Sequence, residues 1–232
     1  MNKPKSVFVK EMFNSIASQY DFLNYVISFG QHKFIKIKAV EQVKLSENAD
    51  ILDLCAGTGD ISMILAKKYP FSGIKAVDYS ENMLNIAKKR IKNNNIEFIQ
   101  ADALNLPFED NSFDAVFISF GLRNLESIEK GLIEIKRVLK NNGILSILDV
   151  GKPNVILMPF FNCYFSRIMP LIAGFFIKNK QYSPYNYLSD SAADYPSQHK
   201  MVKILKELGY SEIKNYNYIF ESMAQQVAKV EK

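Results

Sequence analysis

Four short segments of the chain carry side chains that could hold a polar ligand, and each one ends or follows a run of apolar residues. The first reads Asp53-Leu54-Cys55-Ala56-Gly57-Thr58-Gly59-Asp60, and its glycines allow the backbone to approach a ligand closely. The second is Asp78, the third is Asp102-Ala103, and the fourth is Phe113-Asp114-Ala115-Val116 leading to Ser119. Open α/β folds bind ligands at the carboxyl ends of their strands, so we expect these segments to form one site.

The residues of the first segment restrict the charge of the ligand that it can bind. A dinucleotide-binding fingerprint would continue to a third glycine, but that position is Ser62. Asp53 also places negative charge where a pyrophosphate would lie. A cationic ligand fits better, and the amino and sulfonium groups of S-adenosylmethionine (SAM) are cationic. A G-x-G pattern alone is a weak indication, so the later segments have to agree with it.

The later segments fit the nucleoside part of the same ligand. Asp78 lies 19 residues after Gly59, where an acidic residue can accept hydrogen bonds from both ribose hydroxyls. Asp102 could accept from an adenine amino group, while Ala103 leaves room for the ring. Either aspartate could instead be a helix cap, but the order of all four segments favours a SAM-dependent methyltransferase. The predicted cofactor-binding residues are Asp53, Gly57, Gly59, Asp78, Tyr79, Asp102, Ala103 and Ser119.

The elements that must position these segments alternate between strand-like and helical patterns. Apolar runs predict strands over residues 51–55, 74–78, 96–100, 113–119 and 143–150. Helical spacing covers 60–69, 80–92 and 128–139, with Ser80 as an N-cap. Strict alternation predicts a parallel sheet with helices on both faces. A later helix at 197–208, ended by Gly209, precedes β-like runs at 212–220 and 223–230 that would add an antiparallel edge.

We therefore predict an α/β, Rossmann-like fold of the class I SAM-dependent methyltransferase type, with a mostly parallel seven-stranded sheet. The chain would form one domain over residues 1–232. Within it, residues 1–45 would be a helical N-terminal cap and 46–150 the SAM-binding core. Residues 151–197 would be an apolar lid inserted after strand five, and 198–232 the C-terminal helix and edge strands.

One apolar segment, Val155–Ile177, is nearly long enough to span a bilayer. It contains Arg167, Asn162, Pro159 and Pro170, and charge or proline near the middle of a lone span is costly. We interpret the segment as helical cover over an apolar pocket, in contact with the membrane surface.

Composition narrows the class of protein further. The 232 residues are 48% hydrophobic and 23% charged, which is typical of a folded domain. The net charge of +5 is spread along the chain without a dense basic block, so no nucleic-acid partner is expected. Cys55 and Cys163 lack a CxxC partner, and neither a disulfide nor a metal site is predicted. Residues 1–22 lack the apolar core of a signal peptide, which favours a cytoplasmic protein.

The chain resembles the ubiquinone/menaquinone biosynthesis C-methyltransferases over nearly its whole length. The most specific motif is Ser119-Phe120-Gly121-Leu122-Arg123-Asn124, and Arg137-Val138-Leu139-Lys140 with Gly143 is similar to a second family signature. The other similar segments are Tyr20-Asp21-Phe22-Leu23-Asn24 with Ser28 and His32, and Tyr185-Asn186-Tyr187-Leu188 with Ser191 and Pro196.

The resemblance implies a SAM cofactor contacted by Thr58, Asp78, Asp102, Ala103 and Ser119. It also implies a prenylated quinol acceptor that is methylated at a ring carbon, either a naphthoquinol such as demethylmenaquinol or a benzoquinol. The chain departs from the family pattern on the acceptor side and at the C-terminal edge. The departures are Phe34 for Trp, Leu23 for Met, Asn141-Asn142 for a Pro-Gly-like turn, Asp149 for Glu, and Glu221-Ser222-Met223 for a glycine-containing tail.

Arg123, Asn124 and His32 are the predicted catalytic residues. A quinol ring carbon becomes nucleophilic once the adjacent hydroxyl, with a pKa of about 10, loses its proton. Arg123 would stabilise the phenolate directly or through a water, although it could instead only hold its loop. Asn124 follows it beside the expected methyl position. His32 is a candidate base because imidazole titrates near neutral pH, and the alternative is a structural histidine bonded to backbone.

Three other functions remain open from the sequence. The scaffold could serve another small amphiphilic or lipid acceptor, it could bind cofactor without catalysis, or it could methylate RNA. RNA is disfavoured because Gly121-Leu122-Arg123-Asn124 stands in place of an Asn/Asp-Pro-Pro-aromatic motif. A peripheral contact with the inner face of the membrane and a homodimer are further expectations that the sequence leaves open.

Overall fold

A computed structural model of the chain describes residues 4–28, 30–153, 158–163, 167–168 and 184–232. Its helices are α1 (Lys5–Ile16), α2 (Tyr20–Ile27), α3 (Gln31–Glu41), α4 (Asp60–Lys68), α5 (Glu81–Arg90), α6 (Ile128–Val138), α7 (Met158–Cys163), α8 (Pro184–Asp194) and α9 (Gln198–Glu207). Its strands are β1 (Asp50–Leu54), β2 (Gly73–Asp78), β3 (Ile96–Gln100), β4 (Phe113–Ser119), β5 (Leu139–Val150), β6 (Tyr210–Tyr218) and β7 (Met223–Val230). A short 3₁₀ helix, Leu122–Asn124, follows β4.

The strands form one seven-stranded sheet in the order β3-β2-β1-β4-β5-β7-β6. The five strands of the β3-β2-β1-β4-β5 part pair in parallel, and β7 pairs antiparallel with both β5 and β6. The predicted mostly parallel sheet is therefore confirmed, together with its antiparallel edge. Because β1 lies between β2 and β4 and is parallel to both, its carboxyl end, where the glycine loop begins, lies beside the carboxyl ends of those two strands.

Helices cover both faces of the sheet, which explains why the inner strands are apolar on both sides. Leu52 and Leu54 of β1 pack in the layer formed with α6 and α9. Ile51 of the same strand points into the opposite layer, with Leu65 of α4 and Val40 of α3. All of these side chains are fully buried, and each burial contributes about 1.5–3 kcal/mol. The two layers hold the carboxyl edge of the sheet in a fixed shape.

The largest differences from the predicted element boundaries are at β5 and β6. Helix α6 ends at Val138, and β5 begins at Leu139 instead of Gly143. The pairing of β4 with β5 shifts register between Phe113 and Ala115, and Asn142 has a left-handed backbone with φ of 62°, which asparagine tolerates. The expected Asn141-Asn142 turn is therefore an irregularity inside a longer strand. Strand β6 covers 210–218 instead of 212–220, because the chain turns back through 219–222 before β7.

The N-terminal cap, which comprises α1, α2 and α3, is helical as predicted and lies over the carboxyl edge of the sheet. Lys5 Nζ donates to the carbonyl oxygens of Arg123 (3.0 Å) and Leu125 (2.8 Å). At the other end of α1, Ser80 Oγ donates to Asn14 Oδ1 at 2.6 Å. Helix α1 is thus attached to the loop after β4 and to the start of α5, and it bridges the space between them.

The predicted lid at residues 155–180 lies largely outside the described residues. The described part of the 151–197 segment includes α7 and α8, and Tyr187 of α8 makes a tilted ring contact with Phe8 of α1, with centroids 5.5 Å apart. Across the ranges that the structure describes, no helix is both long and apolar enough to cross a membrane.

Candidate active site

A cleft opens at the carboxyl ends of β1, β2, β3 and β4, beneath α1. Its empty space is about 810 Å³, including the part that is open to solvent. Seven of the residues predicted from the sequence line it together: Gly57, Asp78, Tyr79, Asp102, Ala103, Ser119 and Asn124. Side chains of α1 and α2, among them Phe13 and Tyr20, complete the wall.

Both carboxylate oxygens of Asp78 in the cleft accept backbone hydrogen bonds. Its Oδ2 accepts a hydrogen bond from the backbone N–H of Gly57 at 2.7 Å, and its Oδ1 accepts from Ser80 N at 2.8 Å. Burial raises the pKa of this carboxyl, and the backbone N–H groups of Ser80, Gly57 and Tyr79 oppose that shift. The carboxylate therefore joins the end of β2 to the glycine loop, residues 55–59, and presents its edge to the cleft.

The two glycines of the loop have different roles. Both have left-handed backbones, with φ of 56° at Gly57 and 84° at Gly59. A Cβ at Gly59 would lie 2.5 Å from Ile91 Cδ1, whereas a Cβ at Gly57 would have no atom within 4 Å. Gly59 is therefore required for the close packing of α4 against the end of α5, and Gly57 leaves the cleft side of the loop open.

The remaining cleft residues offer a mixture of polar and apolar contacts. Asp102 Oδ1 accepts from Leu104 N at 2.9 Å, so this aspartate also caps its own turn. Ala103 is buried beside it. The Tyr79 ring lies under Lys10 Nζ of α1, 4.6 Å from the ring centroid. Ser119 Oγ is buried and has no hydrogen-bond partner among the described residues, which makes it a free polar group at the wall of the cleft.

Asp53 and Thr58 lie around a smaller pocket on the other side of the glycine loop, which Gly57 and Ser119 also line. Asp53 is fully buried and accepts from Ser62 Oγ. Burial raises its pKa to about 7, although the Ser62 hydrogen bond and the charge of Lys36 act in the opposite direction. Thr58 Oγ1 donates to Asp21 Oδ1 at 2.6 Å, so its hydroxyl is bonded to the cap.

Lys36 and Asp60 line this pocket and form, with Arg90, an ion-pair network that was not predicted. Lys36 Nζ donates to Asp60 Oδ2 at 3.0 Å, and Arg90 Nη2 donates to Asp60 Oδ1 at 2.6 Å. Burial would raise the pKa of Asp60, but the two cations lower it to about 2. In the sequence, Lys36 lies between Ile35 and Ala39 on the inner face of α3, and a charge on an apolar face is the pattern that could have revealed it.

On the acceptor side, Arg123 forms an ion pair with Asp149. Arg123 Nη1 donates to Asp149 Oδ1, and both side chains are buried. Burial disfavours the charged guanidinium, but Asp149, with smaller effects of Tyr20 and Tyr187, raises its pKa above the ordinary value. Arg123 Nε is buried and has no hydrogen-bond partner in the described part of the chain. The Nε–H of the guanidinium is thus a buried donor that none of the described residues uses.

Asn124 follows Arg123 in the chain and lines the cleft. Its Nδ2 donates to the Phe120 carbonyl at 3.0 Å, and its Oδ1 accepts from Tyr187 Oη at 3.2 Å. Burial raises the pKa of Tyr187 to about 12, although Arg123 acts in the opposite direction. Tyr187 is therefore a neutral hydrogen-bond donor, and it fixes the amide orientation of Asn124.

His32 lies within the cap and faces Ser28 instead of the cleft. Its Nδ1 is 2.6 Å from Ser28 Oγ, and the ring is buried. Burial, together with the positive charge of Lys36, lowers its pKa to about 4. The imidazole is therefore neutral near pH 7, and it does not line the cleft. Its predicted role as a base stays a prediction.

The loops after β1 and β4 approach each other unusually closely. Cys55 and Phe120 both have left-handed backbones, each with φ of 57°. A Cβ at Gly121 would lie 2.4 Å from Cys55 Cβ, so this contact requires glycine. Non-glycine residues in this conformation cost about 1–2 kcal/mol each. Such strain is concentrated at functional sites, and here it flanks the floor of the cleft.

Comparison with known proteins identifies the family. A model of the ubiE/COQ5 methyltransferase family matches residues 1–229. The chain belongs to this family. Demethylmenaquinone methyltransferase of Staphylococcus saprophyticus is 36% identical over 216 residues, which cover 92% of each chain. The enzyme of the same name from Desulfitobacterium hafniense is 38% identical over 224 residues, which cover 93% of this chain and 87% of the relative.

Solved structures agree on the fold of this family member. A SAM-dependent methyltransferase of Thermotoga maritima superimposes with a TM-score of 0.70 at 18% identity, covering 95% of this chain and 99% of the other. Phosphoethanolamine N-methyltransferase 2 of Haemonchus contortus, in complex with S-adenosylhomocysteine, gives 0.69 at 16% identity, covering 97% and 60%. The [4+2]-cyclase SpnF gives 0.69 at 16% identity, covering 96% and 95%. The fold class is confirmed, and SpnF illustrates that fold alone does not define the reaction.

The family member is a SAM-dependent methyltransferase, as the sequence predicted. The residues of the cleft fit this cofactor. Asp78 offers carboxylate oxygens at the position expected for ribose hydroxyls, Ser119 Oγ is an unused polar group, and Ala103 leaves space beside Asp102. The residues that would hold the cofactor in the smaller pocket are Asp53 and Thr58, whose contacts with it stay predictions.

Proposed function

We propose that this chain transfers a methyl group from SAM to a ring carbon of a prenylated quinol, converting demethylmenaquinol to menaquinol. Relatives with the name demethylmenaquinone methyltransferase are 35–38% identical to it over at least 92% of its length, which supports this acceptor. The observation that carries the proposal is the buried Nε–H of Arg123, which no described residue accepts; Arg123 precedes Asn124 in the chain, and Asn124 lines the cleft.

The reaction requires little more of the protein than alignment and charge stabilisation. SAM, when bound, supplies an electrophilic methyl group. The acceptor carbon gains its electron density when the neighbouring phenolic hydroxyl, with a pKa of about 10, loses its proton. The enzyme must therefore stabilise an oxyanion at the cleft and exclude water from the transfer. The cap provides the cover, because α1 is attached on both sides of the cleft.

Arg123 is the proposed group that stabilises the phenolate. Its ion pair with Asp149 fixes the guanidinium plane, and its Nε–H is left to donate to an anionic oxygen. Because Asp149 balances the charge of Arg123, the buried cation is compensated before the acceptor binds. A donor that is already oriented before the charge develops is the arrangement that lowers the barrier most.

Asn124 and Tyr187 would position the acceptor ring. Both Asn124 side-chain atoms are already bonded, to Phe120 and Tyr187, so its rotamer is fixed. The base is less well defined. His32 is a proposal with weaker support, since a pKa of about 4 and its contact with Ser28 leave it poorly suited to accept the proton. The alternative is that a water held by Arg123 accepts the phenolic proton and passes it to solvent.

We further propose that the enzyme acts on the cytoplasmic side, at the inner face of the membrane. A prenylated quinol is nearly insoluble in water, so the enzyme must meet it at a lipid surface. The apolar segment Val155–Ile177 supports this location by its composition. A homodimer stays a prediction.

Quinone analysis of cells tests the proposed acceptor. Cells lacking the gene should accumulate the quinone that is one methyl group lighter than the parent compound, and the wild-type gene should restore the parent. An unchanged quinone profile would contradict the proposal and favour another amphiphilic acceptor, which a search for other demethylated lipids in the same extracts would identify.

A further inference from the structure

Helix α3 buries two polar side chains beside Ile35, Ala39 and Val40, and it exposes two large apolar ones. His32 and Lys36 are buried, with 5% and 8% of their surface exposed. Phe34 and Ile37 are 62% and 42% exposed. A helix on the surface of a soluble protein normally has the opposite arrangement. The burial of Lys36 is explained by its ion pair with Asp60, and that of His32 by its contact with Ser28. Nothing among the described residues accounts in the same way for the exposure of Phe34 and Ile37.

The neighbouring helix continues this apolar surface. On α2, Phe22 and Tyr25 are 52% and 56% exposed, and their spacing of three residues places them on one face. A Cβ added to Gly30 would lie 2.9 Å from the Tyr25 ring, so this ring lies against the start of α3. Phe34 follows one turn after Gly30 on the same face. We call Phe22, Tyr25, Phe34 and Ile37 the α2–α3 surface.

The charges around the α2–α3 surface are mainly positive. Lys33 is exposed on α3 beside Phe34, and Lys44 is exposed just after the helix. Lys38 Nζ lies 5.5 Å from the centroid of the Phe34 ring and also pairs with Glu41 at 2.9 Å. Aromatic side chains interleaved with lysines match the two chemical layers of an anionic lipid surface, which are phosphate groups outside and acyl chains inside.

The position of the surface agrees with the route of a lipid substrate. Tyr20, in the first turn of α2, lines both the cleft and the smaller pocket. Lys36 of α3 lines the smaller pocket as well. The α2–α3 surface lies on these two helices, so it is separated from the site by about one helix diameter, roughly 10 Å. A protein docked through this surface would hold its cleft close to the headgroup layer.

We infer that the α2–α3 surface docks the enzyme onto a bilayer containing anionic phospholipid. Phe34, Ile37, Tyr25 and Phe22 insert among the upper acyl chains, and Lys33 and Lys38 contact the phosphates. The inference rests on the proposed function only in one respect, because access to a prenylated quinol is the purpose that docking would serve. The docking itself is a property of the surface that can be measured without any substrate.

Co-sedimentation with vesicles tests the inference. Phosphatidylcholine vesicles containing phosphatidylglycerol should bind the wild type, and pure phosphatidylcholine should bind it more weakly. The double variant Phe34→Ser/Ile37→Ser should bind the mixed vesicles about tenfold more weakly. Phe71→Ser is the matched control, because Phe71 is 72% exposed but precedes β2, at the edge of the sheet opposite the cleft. Lys33→Glu should weaken binding about fivefold, and Lys67→Glu on α4 should not.

Two results would overturn the inference. One is equal vesicle binding by the wild type and Phe34→Ser/Ile37→Ser, or no binding by either. The other is a wild-type dimer that becomes a monomer in the double variant by light scattering, because the occupant would then be a second copy of the chain.

A methylation assay separates this inference from the proposed function. The double variant should methylate a tail-less quinol in solution at the wild-type rate and a prenylated quinol in vesicles more slowly. Vesicle binding as expected, with no quinol methylated by any variant, would contradict the proposed function and leave the docking surface standing. Normal quinol methylation without vesicle binding would contradict the docking surface and leave the proposed function standing.

Discussion

Thr58 Oγ1 donates a 2.6 Å hydrogen bond to Oδ1 of Asp21, which joins the glycine loop of the cofactor site to helix α2 of the cap. Arg90 Nη1 donates to the other oxygen of Asp21 at 3.0 Å. The residue that the family resemblance assigns to the cofactor therefore also holds the cover of the cleft. We therefore expect a substitution that displaces helix α2 to displace the glycine loop as well.

The first prediction is that Thr58→Val and Asp21→Ala have overlapping effects. Each removes the same bond, so both should weaken SAM binding, and the double variant should be no worse than the poorer single variant, with a coupling of about 0.5–3 kcal/mol. Calorimetric titration of the four proteins with SAM measures this cycle. If Thr58 instead acts only by contacting SAM directly, Asp21→Ala would bind normally and Thr58→Val would not.

The second prediction concerns Asp78. Asp78→Ala should weaken SAM binding by about 1.5–3 kcal/mol, because it removes charge-assisted hydrogen bonds to the ribose. Asp114→Ala is the control, since Asp114 pairs with Lys140 at the opposite end of β4. Calorimetry on both variants decides, and an unchanged affinity in Asp78→Ala would remove this residue from the cofactor site.

The third prediction is that Arg123→Ala slows methyl transfer by roughly 10²–10³-fold, by analogy with the loss of one oxyanion donor. Arg123→Lys should recover only part of the rate, because an ammonium group cannot reproduce the planar donor fork. SAM affinity should barely change in either variant. Single-turnover rates at saturating SAM provide the measurement.

The ion pair with Asp149 complicates a stability control for Arg123. Arg123→Ala leaves a buried, unpaired carboxylate, which costs about 3–5 kcal/mol of folding free energy whatever the catalytic role. The double variant Arg123→Met/Asp149→Leu removes both charges and should regain much of that stability while staying slow. A double variant that is stable and fast would show that Arg123 only braces its loop.

The fourth prediction is a pH dependence of stability that Asp53 causes. Its pKa is raised from 3.8 to about 7 by burial, so between these values the folded protein binds more protons than the unfolded chain. The free energy of unfolding should therefore fall as pH rises, by roughly 2–3 kcal/mol between about pH 5 and about pH 8. Asp53→Asn should lack this part of the decrease.

Denaturant unfolding at the two pH values measures the effect. His32 acts in the opposite sense, because its pKa is lowered to about 4 by burial, and its contribution to stability grows as pH rises towards its ordinary value. The comparison is therefore made between Asp53→Asn and the wild type at each pH, which cancels the contribution of His32. Parallel pH profiles of the two proteins would mean that Asp53 is ionised throughout.

The fold was largely predictable because its elements follow local periodicity. Strands β3, β4 and β7 begin and end where the apolar runs do, and Ser80 caps α5 as its residue type indicates. The start of β5 was missed because the strand continues past the irregularity at Asn142, where its pairing with β4 shifts register. Strand pairing depends on a segment distant in sequence, so local periodicity does not predict it.

The site was predictable only where it lies on strand ends. Those positions are set by the alternation of strands and helices, so Asp78, Asp102 and Ser119 could be brought together from the sequence. Pairs such as Arg123 with Asp149, or Lys36 with Asp60, depend on how separate elements pack. The sequence could indicate that Lys36 is a buried charge, but it could not identify the partner of Lys36 or of Arg123. The same reason explains why the attachment of α1 by Lys5 could not be foreseen.

Methyl transfer from deuterated SAM tests the central claim most directly. The purified enzyme is incubated with SAM carrying a CD₃ group and with demethylmenaquinol in mixed phospholipid vesicles, and the product is analysed by mass spectrometry and NMR. We predict that one CD₃ group is attached to a ring carbon of the reduced quinone and that the oxidised quinone is not methylated. A label on a quinol oxygen, or no label on any quinol while SAM binds normally, would contradict the account.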